Sequence, residues 1–444
     1  MDILEKTLSM LVRYPLCDTC LGRQFALLGH GIENSQRGRA LKLSLTLQAS
    51  ALTQSKNKEG LAILKTVAQN GFSREAEETV HHLKKRIPQK EITSCYLCEG
   101  KFQLLEDLVE RVLAEIVEFQ FTSFLVGIEL PVKVEEREDE FKAEFNVSYG
   151  ENIRHEFGRL LGKRIEEKTA AAFDYKRPDI AIIINPFSKA VRIQVNPLFV
   201  AGRYRKLVRN IPQSKWFCSS CRGKGCEKCE GTGKLYPESV EELVSQPFMD
   251  AAIGEKTAFH ASGREDIDAR MLGNGRPFVV EVSKPKKRFL NLKELRQVVN
   301  DRGKGKVEVS NLRFSNKSLV RKLKKAECAQ KEYRVIIEFE DDFLEEDLNS
   351  LEEKLSNVQI KQRTPLRVMH RRADLIRERY IYKVKVKRLS LNRAELEIRC
   401  QGGLYVKELV SGDEGRTSPS ISELLNNKAK PIKLDVLKVI IEDQ

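Results

Sequence analysis

Hydrophobic positions change their period along the chain. From Met1 to about Phe119 the spacing is mostly helical: in LLEDLVERVLAEIVEF, from Leu104, apolar residues recur at helical spacing with acids and Arg111 opposite. FKAEFNVSYGENIRHEFGRLLGKRIEEKT then reads as strand, turn and basic helix, and RPDIAIIINP and VRIQVNP as short β-rich runs that each end at Asn-Pro. Beyond Tyr236, FVVEV, VIIEF, YIYKVKVKRL and AELEIRC predict strands, and LNLKELRQVV and SLVRKLKKAE predict helices. Neither a regular βαβ rhythm nor an internal repeat is present, which predicts a mixed, largely antiparallel α+β domain rather than a doubly wound one. In YKVKVKRL, Tyr382, Val384 and Val386 line one face and Lys383, Lys385 and Lys387 the other, a basic face for RNA or for water.

A length of 444 residues predicts two or three domains. Lys and Arg total 78 against 64 for Asp and Glu, a net charge of +14, which points to a polyanionic partner such as nucleic acid. The start, MDILEKTLSMLVRYPLC, has no basic segment leading into an apolar one, and no apolar run approaches the ~18 residues that span a bilayer. The expectation is a cytoplasmic protein with no membrane partner.

Cysteine spacing adds chemistry. Cys17/Cys20, Cys95/Cys98, Cys218/Cys221 and Cys226/Cys229 form Cys-x-x-Cys pairs, while Cys328 and Cys400 stand alone. In a reducing compartment each pair can give two thiolates to one tetrahedral zinc, the alternative being dithiol redox work. CSSCRGKGCEKCEGTG is two tandem Cys-x-x-Cys-x-Gly-x-Gly units, whose glycines let the backbone turn the sulfurs onto one ion. It resembles, over these few residues, the zinc repeats of J-domain co-chaperones. The outer pairs can close a second four-thiolate site only if the fold brings Cys17, Cys20, Cys95 and Cys98 together. Zinc in either would be structural, because four thiolates leave no position for water.

GRYRKLVRN, from Gly202, has four cations and one tyrosine, suited to phosphate contact and base stacking or to a solvated linker. GREDIDARMLGNGRPF, from Gly263, puts Asp266 on a loop bounded by glycine-rich turns, where a catalytic group and a solvated turn aspartate look alike.

The basic helix followed by Arg177-Pro178-Asp179 and a strand hairpin resembles a THUMP domain, an RNA-binding module of tRNA-modifying enzymes. GREDIDARMLGNGRPF, KEY at Lys331 to Tyr333, QRTPLRVMHRRADLIR from Gln362 and GGLYVKELVSGDEGRTSPSISELL from Gly402 together resemble the RNA pseudouridine synthases. More narrowly they are similar to the archaeal and eukaryotic family that modifies the tRNA T-loop and carries an N-terminal zinc-bound THUMP region. This resemblance implies a helical zinc-binding region over 1–119, a THUMP-like domain over 120–205, a four-cysteine linker over 206–235 and a pseudouridine synthase domain over 236–444. It implies tRNA as partner, no catalytic cofactor, and action at T-loop uridine 54, 55 or both.

Under the resemblance Asp266 is the nucleophile, with Asp268 as the fallback, Lys407 its cationic partner and Arg264 a supporting one. Tyr333 stacks on the extruded uracil; Val406, beside Tyr405, and Leu434 wall the base; His370, Arg371 and Arg372 contact phosphate. A carboxylate suits a reaction that detaches uracil from ribose C1′, turns it and rejoins it through C5. THUMP-bearing thiouridine synthases and methyltransferases are the rival enzymes, but the chain lacks the nucleotide or S-adenosylmethionine loops they need, and GDEGRT lacks the Gly-Lys-Ser/Thr ending of a P-loop. A non-catalytic RNA-binding scaffold is the other alternative.

Overall fold

The computed structural model describes residues 2–87, 94–325 and 329–440, the side chain of Arg371 excepted; Cys328 lies outside the described residues. The chain forms two compact units, Met1–Asn196 and Pro197–Gln444.

The first unit opens with helices α1 (Ile3–Arg13), α2 (Asp18–Gly22), α3 (Asn34–Gln54), α4 (Lys58–Gln69), α5 (Arg74–His82) and α6 (Leu105–Ile116). In α6 the helical period buries Leu105, Leu108, Val109, Val112 and Ile116, as the sequence pattern predicts. A four-stranded sheet follows, with β1 (Ser123–Ile128), helices α7 (Val132–Glu144) and α8 (Ile153–Thr169), then β2 (Ala172–Phe173), β3 (Ile180–Asn185) and β4 (Ala190–Val195). The strand order is β2-β1-β3-β4, parallel but for the β3/β4 hairpin. Ile180, Ile182 and Ile184 point from β3 into a core that also holds Met10, Leu108 and Phe157, so helical region and sheet share one interior.

FKAEF is not a strand. Residues 141–144 close helix α7, and Phe145 caps it. The alternation of Phe141, Ala143 and Phe145 mimics a strand, but Phe141 and Phe145 are also i, i+4 neighbours on a helix, with ring centroids 4.9 Å apart. The basic helix does form, as α8, with Asn152 capping it by accepting the His155 N–H at 2.8 Å.

The second unit contains β5 (Leu198–Lys206), α9 (Val240–Ala252), β6 (Lys256–Ala261), β7 (Arg270–Ser283), α10 (Leu292–Arg302), β8 (Val307–Ser315), α11 (Lys317–Lys325) and β9 (Gln330–Phe339). It continues with α12 (Glu345–Leu355), β10 (Val358–Arg363), β11 (Ile376–Arg388), β12 (Arg393–Gln401), α13 (Val406–Ser411), β13 (Thr417–Ser418), α14 (Ile421–Leu424) and β14 (Ala429–Ile440). These strands make one ten-stranded sheet in the order β13-β10-β11-β12-β9-β14-β7-β5-β8, with β6 also on β7. Pairings are antiparallel except β14 with β7. The chain is thus α+β with a largely antiparallel second half.

Hydrophobic alternation places the helices. Val200, Val280, Val282 and Val307 pack under Val244, Phe248 and Val299 of α9 and α10, and Val335, Ile337 and Leu396 pack under Leu348, Leu351 and Leu355 of α12. GRYRKLVRN is not a linker in this fold. Its first half is the end of β5, paired with β7 and β8 inside the second unit, so residues 197–205 of the expected 120–205 domain fall in the second unit. Tyr204 and Lys206 are fully buried, and Arg205 pairs with Glu308 on the surface. The lysine face of β11 is answered by acids, because Lys385 and Lys387 stand opposite Glu397 and Glu395 of β12. No helix among the described residues is long and apolar enough to cross a membrane.

Candidate active site

The loop between β6 and β7 carries Asp266, and its shape is set from beneath. Gly263 opens it at φ +76°, where an L side chain is strained, and a Cβ there would stand 3.2 Å from Lys331 Nζ. Glu265, next in the turn, points inward. It accepts from Arg276 Nε at 2.9 Å and from the Tyr204 hydroxyl at 2.9 and 3.1 Å, and all three side chains are buried. Burial, then the Glu265 charge, push the Tyr204 phenol well above its ordinary value, so it remains a donor. Gln213 closes the network, donating to Tyr204 Oη at 2.7 Å and to Gly263 O at 3.0 Å, while Arg276 donates to Ser262 O at 2.7 Å.

Two cations from GRYRKLVRN hold the next residues by their carbonyls. Lys206 Nζ, at the end of β5, donates to Asp266 O and Ile267 O, both at 3.1 Å, and to Ile211 O at 2.8 Å. Burial pulls its pKa down to about 8 against the pull of Glu265, Asp268 and Asp266. Arg209 donates to Asp268 O and Leu434 O, both at 2.7 Å, and to Asp435 at 2.6 Å. The Asn210 N–H reaches Ile267 O at 2.9 Å. Nothing in the sequence marks these residues as loop anchors: a cation bonded to backbone carbonyls leaves no partner residue type to find.

With Glu265 turned in, Asp266 lines a cavity of about 210 Å³ together with Arg264, Lys331, Tyr333, Arg367, Arg372, Leu404, Tyr405, Val406, Lys407 and Leu434. The fold therefore gathers onto one cavity the residues that the sequence scatters from 264 to 434. Lys407 Nζ stands 3.4 Å from Asp266 and 2.7 to 2.8 Å from both oxygens of Asp268. Burial opposes ionisation of Asp268, but Lys407 and Arg367 hold its carboxyl below the usual range. The second cation on Asp266 is Arg367, 3.3 Å away, which also grips buried Glu408 at 2.6 Å. Arg367 lies within QRTPLRVMHRRADLIR, but the HRR cluster drew attention because charge density is what a sequence displays. Arg264, the other cation nominated for Asp266, lies 5.4 Å from the Trp216 ring centre.

Tyr333 comes from the middle of β9, and burial raises its phenol above the ordinary value, keeping it protonated. Tyr405 is the N-cap of α13; buried Gln362 both donates to its carbonyl at 2.9 Å and accepts its N–H at 2.8 Å, which fixes the start of the helix bearing Val406 and Lys407. Arg372 donates to the Tyr405 hydroxyl at 3.1 Å, and His370 is exposed; the Arg371 side chain is outside the described residues. The chemistry available is a carboxylate flanked by two cations, beside a half-buried tyrosine and an apolar wall.

Both cysteine clusters assemble, each within its own unit. The four sulfurs of Cys17, Cys20, Cys95 and Cys98, and those of Cys218, Cys221, Cys226 and Cys229, lie within 4.8 Å of one another. Four sulfurs about 2.3 Å from a shared ion stand about 3.8 Å apart. The observed separations fit: 3.7 Å for Cys17–Cys98, 3.9 Å for Cys218–Cys226 and 3.7 Å for Cys221–Cys229. Backbone N–H groups of Gly225, Cys226 and Gly233 point at the Cys221 and Cys229 sulfurs at 3.2 Å, as thiolates need. Either set could hold a metal ion. Cys400 is buried in β12, apart from both.

Comparison with known proteins agrees with this layout. The family model "Pus10, C-terminal" matches residues 199–440, and the archaeal "Pus10 THUMP domain" matches residues 108–185. The chain is 44% identical over 441 residues to the tRNA pseudouridine synthase Pus10 of Methanocaldococcus jannaschii, covering 97% of this chain and 93% of that protein. It is 40% identical over 440 residues to the same-named protein of Methanothrix thermoacetophila, covering 99% and 94%.

The anchoring of the loop makes one structural prediction. Lys206→Met takes a donor from three carbonyls; Asp266 O keeps the Ala269 N–H and Ile267 O the Asn210 N–H, and Ile211 O loses the Lys206 ammonium, which costs on the order of 1–3 kcal/mol for an unsatisfied group. Amide hydrogen exchange at residues 263–269 should accelerate while the α12 amides exchange as before. Unchanged protection of the loop would show that it holds its shape without Lys206.

Proposed function

The chain belongs to the Pus10 family of tRNA pseudouridine synthases, enzymes that isomerise uridine to pseudouridine, and from that premise we propose that it acts on the T-loop of tRNA with Asp266 as nucleophile. The target is uridine 54, 55 or both. The observation that carries this reading is the placement of Asp266 on the cavity between Lys407 and Arg367, with Tyr333 lining the same cavity.

Isomerisation breaks the N1–C1′ bond, forms a C5–C1′ bond, removes the C5 proton and returns a proton to N1. The carboxylate of Asp266 either attacks C1′ as N1 leaves, forming an ester that C5 then displaces, or takes the C2′ proton as N1 leaves and returns it as C5 joins C1′; freed in either route, it can take the C5 proton while N1 gains one. Lys407 and Arg367 answer its charge while uracil is detached. The uridine enters by flipping out of its stack; Tyr333 offers a ring face, and Val406 and Leu434 an apolar wall, for the base while it turns. Tyr405 borders the cavity, and Arg264 and Arg372 at its edge meet the flanking phosphates. No bond in this sequence changes oxidation state, so the reaction draws on no redox cofactor and no nucleotide.

The first unit supplies the grip on tRNA, through a metal-clamped helical region and the THUMP sheet, and the second supplies the chemistry. The all-thiolate donor sets and their spacing support zinc in both clusters, in structural roles. A cytoplasmic site of action fits reduced thiolates and a tRNA substrate.

Two measurements follow. Tritium release from tRNA labelled at uridine C5 should occur with the wild type, fall below detection with Asp266→Asn, and stay within about tenfold of wild type with Asp268→Asn, because the exposed Asp268–Lys407 pair is worth about 0–1 kcal/mol. Release by Asp266→Asn, or its loss only in Asp268→Asn, would overturn the assignment. Elemental analysis should find zinc at both clusters, with Cys20→Ser emptying one and Cys229→Ser the other; a protein that retains its metal in either variant would exclude that cluster.

A further inference from the structure

Several exposed cations on the sheet of the second unit stand beside acids. Arg334 reaches Glu397 at 3.0 Å, Arg393 reaches Glu338 at 2.8 Å, and Lys385 and Lys387 of β11 stand opposite Glu397 and Glu395 of β12. Helix α11 is different. Its sequence, KSLVRKLKK, contains no acid, and Lys317, Arg321, Lys322, Lys324 and Lys325 are all exposed with no ion-pair partner among the described residues. Lys317, Arg321 and Lys325 follow one another at i, i+4, a row of like charges that destabilises a helix. No acid among the described residues pairs with this face, and an external anion would relieve the repulsion.

Packing puts that face close to the catalytic loop. On its inner side Leu319, Val320 and Leu323 pack on Phe199 and Ala201 of β5 and Val279 of β7. Val279 pairs with His260 of β6, the strand that runs directly into the loop bearing Asp266. The C-terminal end of α11 is tied to the cavity on the other side, because β9 carries Lys331 and Tyr333 into it. The chain from Lys325 to Lys331 spans at most about 20 Å. A strand of RNA with one nucleotide flipped into the cavity has its neighbouring phosphates within that range.

We propose that the exposed face of α11 is a phosphate-binding surface for the tRNA backbone beside the flipped uridine. The inference rests on the T-loop reading above and adds to it an element that none of the cavity residues supplies. Its cations act as point charges on phosphate, so they contribute affinity and salt dependence without base selection. Because the face is solvent-exposed and the buried side of the helix is untouched, neutralising it leaves the fold intact.

The test is the combined variant Arg321→Gln, Lys324→Gln, Lys325→Gln, assayed for binding to an unmodified tRNA transcript over a range of KCl concentrations. Each lost phosphate contact lowers the slope of log Kd against log salt by about 0.9, so the triple variant should be shallower by about 2–3. KM for tRNA should rise, with tritium release at saturating tRNA unchanged. The combined variant Lys385→Gln, Lys387→Gln, on β11 opposite Glu397 and Glu395, should keep the wild-type slope. A triple variant with wild-type slope and KM would overturn the proposal, as would equal loss of slope from the β11 variant. Failure of the isomerase reading looks different: the wild type would release no tritium at any tRNA concentration, whatever its salt slope.

Discussion

A carboxylate and a guanidinium buried together beneath one loop decide what that loop can present. Glu265 and Arg276 have almost no exposed side-chain surface, and they meet at 2.9 Å. A buried pair of this kind is tolerable only when its remaining donors and acceptors are filled, and breaking one costs about 3–5 kcal/mol. Here they are filled by Tyr204 and by Ser262 O, with Gln213 tying Tyr204 to Gly263. Glu265 is therefore fixed inward, and Asp266, its neighbour, faces the cavity. Lys206 and Arg209 then clamp the carbonyls of Asp266, Ile267 and Asp268, so side chain and backbone are held by different elements.

Around Asp266, the carboxylates of Asp268, Asp266 and Glu408 alternate with the cations of Lys407 and Arg367. Asp268 and Glu408 take the shortest bonds, 2.7 Å to Lys407 and 2.6 Å to Arg367, and leave Asp266 with longer contacts of 3.3 and 3.4 Å to the same two groups. The flanking acids orient the cations, while the oxygens of Asp266 remain less engaged than those of its neighbours. Such an arrangement suits a carboxylate that must form and release a bond to carbon, since a nucleophile locked in tight ion pairs has first to break them. Gln362 serves the same end by fixing the backbone of Tyr405, the N-cap of α13, of which Lys407 is the second residue.

Elements whose hydrophobic period has one meaning were legible in the sequence: α6, α10, α11, β3, β7, β9, β11 and β12 all form where the pattern puts them. FKAEF was not, because two phenylalanines four apart satisfy both a strand alternation and a helix face, and only the partner surface decides between them. Strand β14, KPIKLDVLKVI in its core, carries too many lysines for a buried-strand signal although it sits in the middle of the sheet. For the site, Asp266, Tyr333, Val406, Lys407 and Leu434 could be named from motif resemblance and do share one cavity. Arg367, Lys206 and Arg209 could not, because their partners are a carboxylate a hundred residues away or backbone carbonyls, which have no residue signature. GRYRKLVRN shows the same limit: its composition suggests RNA contact, yet Lys206 and Arg209 are spent on the interior.

The buried Glu265 network sets the geometry from which Asp266 acts. The direct measurement is the single-turnover rate of pseudouridine formation in T-loop tRNA by Glu265→Gln, with tRNA affinity and folding checked in parallel. Glutamine keeps the shape but leaves the Arg276 charge unanswered, and a displacement of Asp266 by about 1 Å is enough to cost about 10²-fold in rate. The account predicts a rate loss of that order with tRNA affinity unchanged. A folded Glu265→Gln enzyme working at the wild-type rate would contradict it.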